Sequence, residues 1–123
     1  MKERTERSLD AEALKRLREL DPHDEARLVV RVLRAFETSV SRLRPQWQEA
    51  ARRSDMNTLR QVAHTLKSSS ASIGALELSR LCAEIEDLIR REAFAEVAPR
   101  IDCMDDELEL ALRALEPHLG MPS

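Results

Sequence analysis

Tyrosine is missing from this chain, and two phenylalanines and one tryptophan bring aromatics to only 2%. That is too few for the stacking platforms of a nucleic-acid binder, and the net charge of -3 points the same way. Only two glycines occur, Gly74 and Gly120, and neither sits in a glycine-rich loop of the kind that wraps a nucleotide phosphate. The two cysteines, Cys82 and Cys103, lack C-x-x-C or zinc-finger spacing. Both fall on apolar stripes and read as buried, reduced thiols rather than metal ligands or a disulfide. No apolar run approaches the roughly 20 residues that span a bilayer, and the opening M-K-E-R-T-E-R-S has no signal-peptide core. The expectation is a cytoplasmic domain without a membrane contact, a metal site or a nucleic-acid partner.

What the chain does have is helix-forming material. Leucine, alanine, arginine and glutamate dominate, no alternating β-branched run competes, and 42% hydrophobic residues in 123 suffice for one core. Residues 1–7 are polar and uncapped and read as a flexible tail, with a single domain over 8–119. Ser8 or Asp10 can cap a short helix with Leu9, Ala13, Leu14, Leu17 and Leu20 on its stripe. Asp21-Pro22 signals the start of a second helix carrying Leu28, Val29, Val32, Leu33, Phe36, Val40 and Leu43. Pro45 is expected to kink or restart it, with Trp47, Ala50 and Ala51 continuing the apolar face.

Ser54 or Asp55 caps the third helix, which ends at Gly74 in a left-handed turn. A fourth runs to about Arg91 with Leu78, Leu81, Cys82, Ile85, Leu88 and Ile89 on one face. The last shows Val97, Ile101, Met104, Leu108, Ala111, Leu112 and Leu115, its regular part starting near Pro99 and stopping at Pro117 and Gly120. The sum is an all-α protein, an antiparallel four-helix bundle with a short additional N-terminal helix.

Function points to the third helix. Asn57, Arg60, Gln61, His64, Lys67, Ser68 and Ala71 fall three, four and seven apart, so they share an outward stripe opposite Leu59, Val62, Leu66 and Ile73. A neutral imidazole facing water is a nucleophile near pH 7. A lysine one turn away favours the neutral ring and can bind an anion attached to it. About 15 Å of helix separates His64 from Gly74, so the glycine serves the turn. The returning helix brings Glu86 opposite His64, where its carboxylate can accept from Nδ1 and leave Nε2 free; pairing with Arg90 is the alternative. The charges from Arg42 to Lys67 are mostly basic and those from Glu84 to Glu109 mainly acidic, so the His64 helix suits an acidic partner or a phosphate. His23 and His118, far apart and without ligand spacing, read as bland surface residues, and Ser68, Ser69 and Ser70 have no partner that would activate a hydroxyl.

Ala63, His64, Leu66, Lys67, Ser69, Ser70 and Gly74 together resemble the signature of histidine-containing phosphotransfer (HPt) domains of two-component phosphorelays. Ala75, Leu76, Leu78, Leu81, Cys82, Ile85 and Glu86 continue the likeness; Ser68 stands where that family prefers glycine. The resemblance implies a phosphoryl carrier without an ATP site of its own, phosphorylated on Nε2 of His64. Lys67 would stabilise the phosphate, Glu86 orient the ring, and Arg60, Gln61, Ser68 and Ala71 form the docking face for a receiver domain. Partners would be receiver domains of response regulators or of a hybrid sensor kinase; Mg²⁺ would sit in the receiver, and the domain itself would be a monomer. Two other roles fit the same residues: a docking module that regulates a receiver or enzyme by occupancy, and the histidine-bearing domain of a chemotaxis-type kinase.

Overall fold

The computed structural model describes residues 9–119, so the expected tail over 1–7, the Ser8 cap and the Gly120 stop lie outside the described residues. Among the described residues five α-helices follow in order: α1 (Ala11–Leu20), α2 (Leu28–Arg53), α3 (Met56–Ser72), α4 (Leu76–Arg90) and α5 (Val97–Leu115). Short 3-10 turns occupy Phe94–Glu96 and Glu116–Leu119, and no strand occurs among the described residues. Neighbours in sequence are neighbours in space: α2 packs on α3, α3 on α4 and α4 on α5, and α5 meets α2 to close the ring. With connections this short, consecutive helices run antiparallel.

The core takes one stripe from each helix. Leu33, Phe36, Val40, Leu43 and Trp47 come from α2; Leu59, Val62, Ala63 and Leu66 from α3; Leu78, Cys82, Ile85 and Leu88 from α4; Val97, Ile101, Met104, Leu108, Ala111 and Leu115 from α5. Trp47 is fully buried, and its indole N–H donates to Asp105 Oδ1 at 3.0 Å, tying α2 to α5. Burial holds the Asp105 carboxyl above its ordinary pKa against the lowering effect of that bond.

Three helix ends share one closing geometry. Asp55 N–H reaches Ala50 O, Ala75 N–H reaches Ser70 O and Ala93 N–H reaches Leu88 O, each at 2.8 Å, the six-to-one bond that follows a residue in the left-handed region. The residues in that conformation are Ser54, Gly74 and Glu92. Only position 74 demands glycine for a second reason. A Cβ there would lie 2.6 Å from Asp10 N and 2.8 Å from Asp10 O, because the Gly74 carbonyl accepts from Asp10 N–H at 2.6 Å. The start of α1 is thereby strapped onto the α3–α4 turn, and Leu9, Ala13 and Leu14 are buried behind it.

Several expectations are corrected. Helix α2 begins at Leu28, not after Pro22. The Asp21 carboxylate nevertheless acts on that start, accepting from Leu28 N–H at 3.1 Å and Ala26 N–H at 3.3 Å across the loop. The Leu28 bond chiefly lowers its pKa. Pro45 neither breaks nor restarts α2. It is exposed, so the carbonyl it cannot serve, that of Ser41, also lies on the water side, while buried Leu43 and Trp47 hold the helix in register. Pro99 stands within the first turn of α5, where its missing N–H costs no bond, so the helix begins at Val97. Cys103 and Ala51 are exposed because each is one position off its helix's buried stripe, and Leu20, 76% exposed, lies beyond the part of α1 that packs.

Candidate functional site

Helix α3 opens at Asp55, whose carboxylate accepts from the backbone N–H of Thr58 at 3.2 Å and from its hydroxyl at 2.7 Å. That cap sets the rotation of everything after it. Leu59, Val62, Ala63, Leu66 and Ser70 turn inward, whereas Arg60, Gln61, His64, Thr65, Ser68 and Ala71 turn out. Small Ala63 and Ser70 on the inward side let α4 approach closely. The α4 hydroxyl of Ser79 donates to the Lys67 carbonyl at 2.9 Å. This contact fixes the register of the two helices one turn from the histidine.

The register places Glu86 under His64. The imidazole Nδ1 lies 2.9 Å from Glu86 Oε2, and Lys67 Nζ lies 2.7 Å from Glu86 Oε1. The side chain of His64 is 70% exposed and that of Lys67 37%, but that of Glu86 only 16%. Burial pushes the Glu86 pKa up, and the combined hydrogen bonds and charges of Lys67 and His64 outweigh it, leaving the carboxyl below its usual range. An ionised carboxylate only accepts hydrogen bonds, so Nδ1 carries a proton, and in the neutral ring the lone pair falls on Nε2, away from Glu86. One turn before Glu86, burial first and the Glu86 charge second push the Cys82 thiol up to about 12, which keeps it protonated and unreactive.

The other sequence-selected residues lie around this centre. Arg60, Gln61 and Thr65 border an open recess beside the His64 ring, and Arg60 also borders a smaller one with Glu86, Ile89 and Arg90. Ser68 and Ala71 continue the exposed face, and Gly74 lies at the far end, in the turn. Arg90 does not pair with Glu86; it pairs with Asp87, as does Arg91. Ser79 escaped the sequence reading, since a serine on a helix flank gives no signal until its register against the Lys67 carbonyl is known. Among the described residues, no three His, Cys, Asp or Glu side chains gather as a metal-ligating set.

The family model for the Hpt domain matches residues 31–116. The chain belongs to the Hpt domain family. The match runs from the first turn of α2 to the end of α5 and so takes in nearly all of the four-helix ring, leaving α1 outside. Comparison with curated proteins and comparison with solved structures each gave no match. Hpt domains carry phosphoryl groups on histidine in phosphorelays, interact with receiver domains and have no ATP site of their own. No helix of this Hpt domain, among the described residues, is long and apolar enough to cross a membrane.

Proposed function

We propose that His64 is the phosphoacceptor of this Hpt domain, taking the group from a receiver aspartate and passing it to the aspartate of another receiver. The observation that carries this reading is the Glu86 carboxylate 2.9 Å from Nδ1 beneath an otherwise exposed ring. It holds the tautomer in which Nε2 is the nucleophile. In the forward step the Nε2 lone pair forms the N–P bond as the acyl O–P bond breaks, and the receiver carboxylate leaves with the bonding pair. The ring, now substituted at both nitrogens, carries a positive charge that Glu86 balances across the Nδ1–H bond. The reverse step follows the same path with another receiver.

Lys67 neutralises Glu86 and adds positive charge beside the ring once the phosphoryl group has arrived. Ser68 and Ala71 offer little bulk, which suits close approach of a receiver, and Arg60 and Gln61 extend the docking face on the other side of the histidine. The Mg²⁺ that assists transfer belongs to the receiver's acidic pocket, and the cytoplasm is the compartment where such receivers work. The domain acts as a monomer, either alone or within a hybrid kinase.

The test is transfer from a radiolabelled phospho-receiver to the parent and to His64→Gln. Label on the parent alone, labile in acid and stable in base, supports the reading. Absence of label, with receiver binding still measurable by titration, would replace it with a module that regulates by occupancy.

A further inference from the structure

Among the described residues, three cations stand beside His64 or its carboxylate, and two are already engaged. Lys67 is held by Glu86, and Arg90 is held by Asp87. The third is Arg60, one turn before His64 on the same exposed face. Among the described residues no carboxylate pairs with it. It borders both the recess beside the ring and the one above Glu86.

The position of the nucleophile sharpens this contrast. Nδ1 and the Lys67 ammonium share the two oxygens of one carboxylate, so the ammonium lies on the Nδ1 side of the ring. Nε2 projects from the opposite side of a five-membered ring. A phosphoryl group on Nε2 therefore starts out facing away from Lys67, which would have to abandon a 2.7 Å ion pair with a mostly buried partner to reach it. Arg60 has no such pair to break, and a guanidinium can place two parallel N–H groups on two phosphoryl oxygens.

We infer that Arg60 is the side chain that binds the phosphoryl group on His64, while Lys67 is a positioning residue that acts through Glu86. The inference rests on the phosphoacceptor reading of His64 and deepens it. It also separates Arg60 from the rest of the docking face: its effect persists when the donor is a small molecule and no receiver is present.

The experiment uses the full chain and phosphoramidate. The Nε2 lone pair forms the N–P bond as the P–N bond of the donor breaks, and ammonia leaves with the bonding pair. Phosphorus NMR follows the yield of phosphohistidine and then the pH midpoint of its second ionisation. A free cation beside the phosphoryl group favours its dianion, so Arg60→Gln raises that midpoint by about half a unit, less than for a buried pair because the site is open to solvent. The same variant slows phosphorylation by the anionic donor about threefold, a modest loss appropriate to one exposed charge. Arg60→Lys restores most of the midpoint, and Lys67→Gln moves it less than Arg60→Gln does. Circular dichroism checks that each variant keeps its helices.

A larger midpoint shift in Lys67→Gln than in Arg60→Gln, or an unchanged midpoint in Arg60→Gln, overturns the inference and leaves His64 as acceptor. Failure of the folded parent to form any phosphohistidine overturns the acceptor reading and this inference together.

Discussion

Two contacts of the same length lie on different sides of the bundle. Lys67 Nζ stands 2.7 Å from a Glu86 oxygen between α3 and α4, and Arg44 Nη2 stands 2.7 Å from a Glu109 oxygen between α2 and α5. The second borders a much larger recess, about 810 Å³, with Pro45, Gln48 and Arg113 around it. By size that recess would be the natural ligand site, yet neither a histidine nor a cysteine lines it. The difference is made by the carboxylates. Glu109 is 48% exposed and its contact is a surface ion pair, whereas Glu86 is mostly buried and its other oxygen meets an imidazole. An ion pair acquires chemistry when one member is withdrawn from water and shared with a titratable third group.

The largest effect should come from removing that third group. His64→Gln abolishes phosphoryl acceptance while leaving the thermal midpoint within about 2 °C of the parent, since an exposed side chain contributes little to packing. Transfer assays and a thermal melt report both halves. Next comes Gly74→Val, which forces a β-branched residue into the left-handed region and drives its Cβ into the Asp10 backbone. A loss of about 3 kcal/mol is expected in a denaturant titration, from the conformational cost and the clash together.

A matched pair of substitutions then tests the comparison itself. Glu86→Ala should slow phosphoryl acceptance about tenfold, which corresponds to roughly 1.4 kcal/mol in the barrier. Glu109→Ala should leave it within a factor of about two and cost less than about 1 kcal/mol of stability, as exposed pairs do. Equal rate losses in the two variants would erase the distinction between the sites.

The smallest effect is a pH dependence. Glu86 has a folded pKa below its ordinary 4.5, so its ionised form contributes stability that is fully present above about 4.5. That contribution fades as the pH falls through the folded value. The parent's thermal advantage over Glu86→Gln should thus be flat near neutrality and shrink in acid. Paired melts at several pH values would show it, and an advantage that grew in acid would contradict the Glu86 geometry.

The exposed placement of His64 was legible in the sequence because helical spacing alone separates Leu59, Val62 and Leu66 from Arg60, Gln61 and His64. Counting back from Gly74 also put Glu86 near the ring, for a tight turn between two regular helices leaves little freedom in register. Pro45 misled because the rule about proline weighs the lost bond and not the burial of Leu43 and Trp47 on either side of it. The start of α2 misled for a related reason. Asp21 caps it from seven residues away, through a loop that no local pattern encodes. The helix ends at Ser54 and Glu92 carry no glycine although they close as Gly74 does, so glycine marked only the turn where another backbone presses in.

That pressing backbone has a practical meaning. Residues 31–116 define the family likeness, but Asp10 grips the turn at Gly74, and Leu9 and Leu14 belong to the core. A fragment trimmed to the shared residues would expose the apolar surface that α1 covers and free the end of the α3–α4 hairpin, whose alignment keeps a carboxylate beneath a histidine. The residues that pack together extend beyond those that carry the family likeness, and the alignment of His64 with Glu86 is held in part from outside that range.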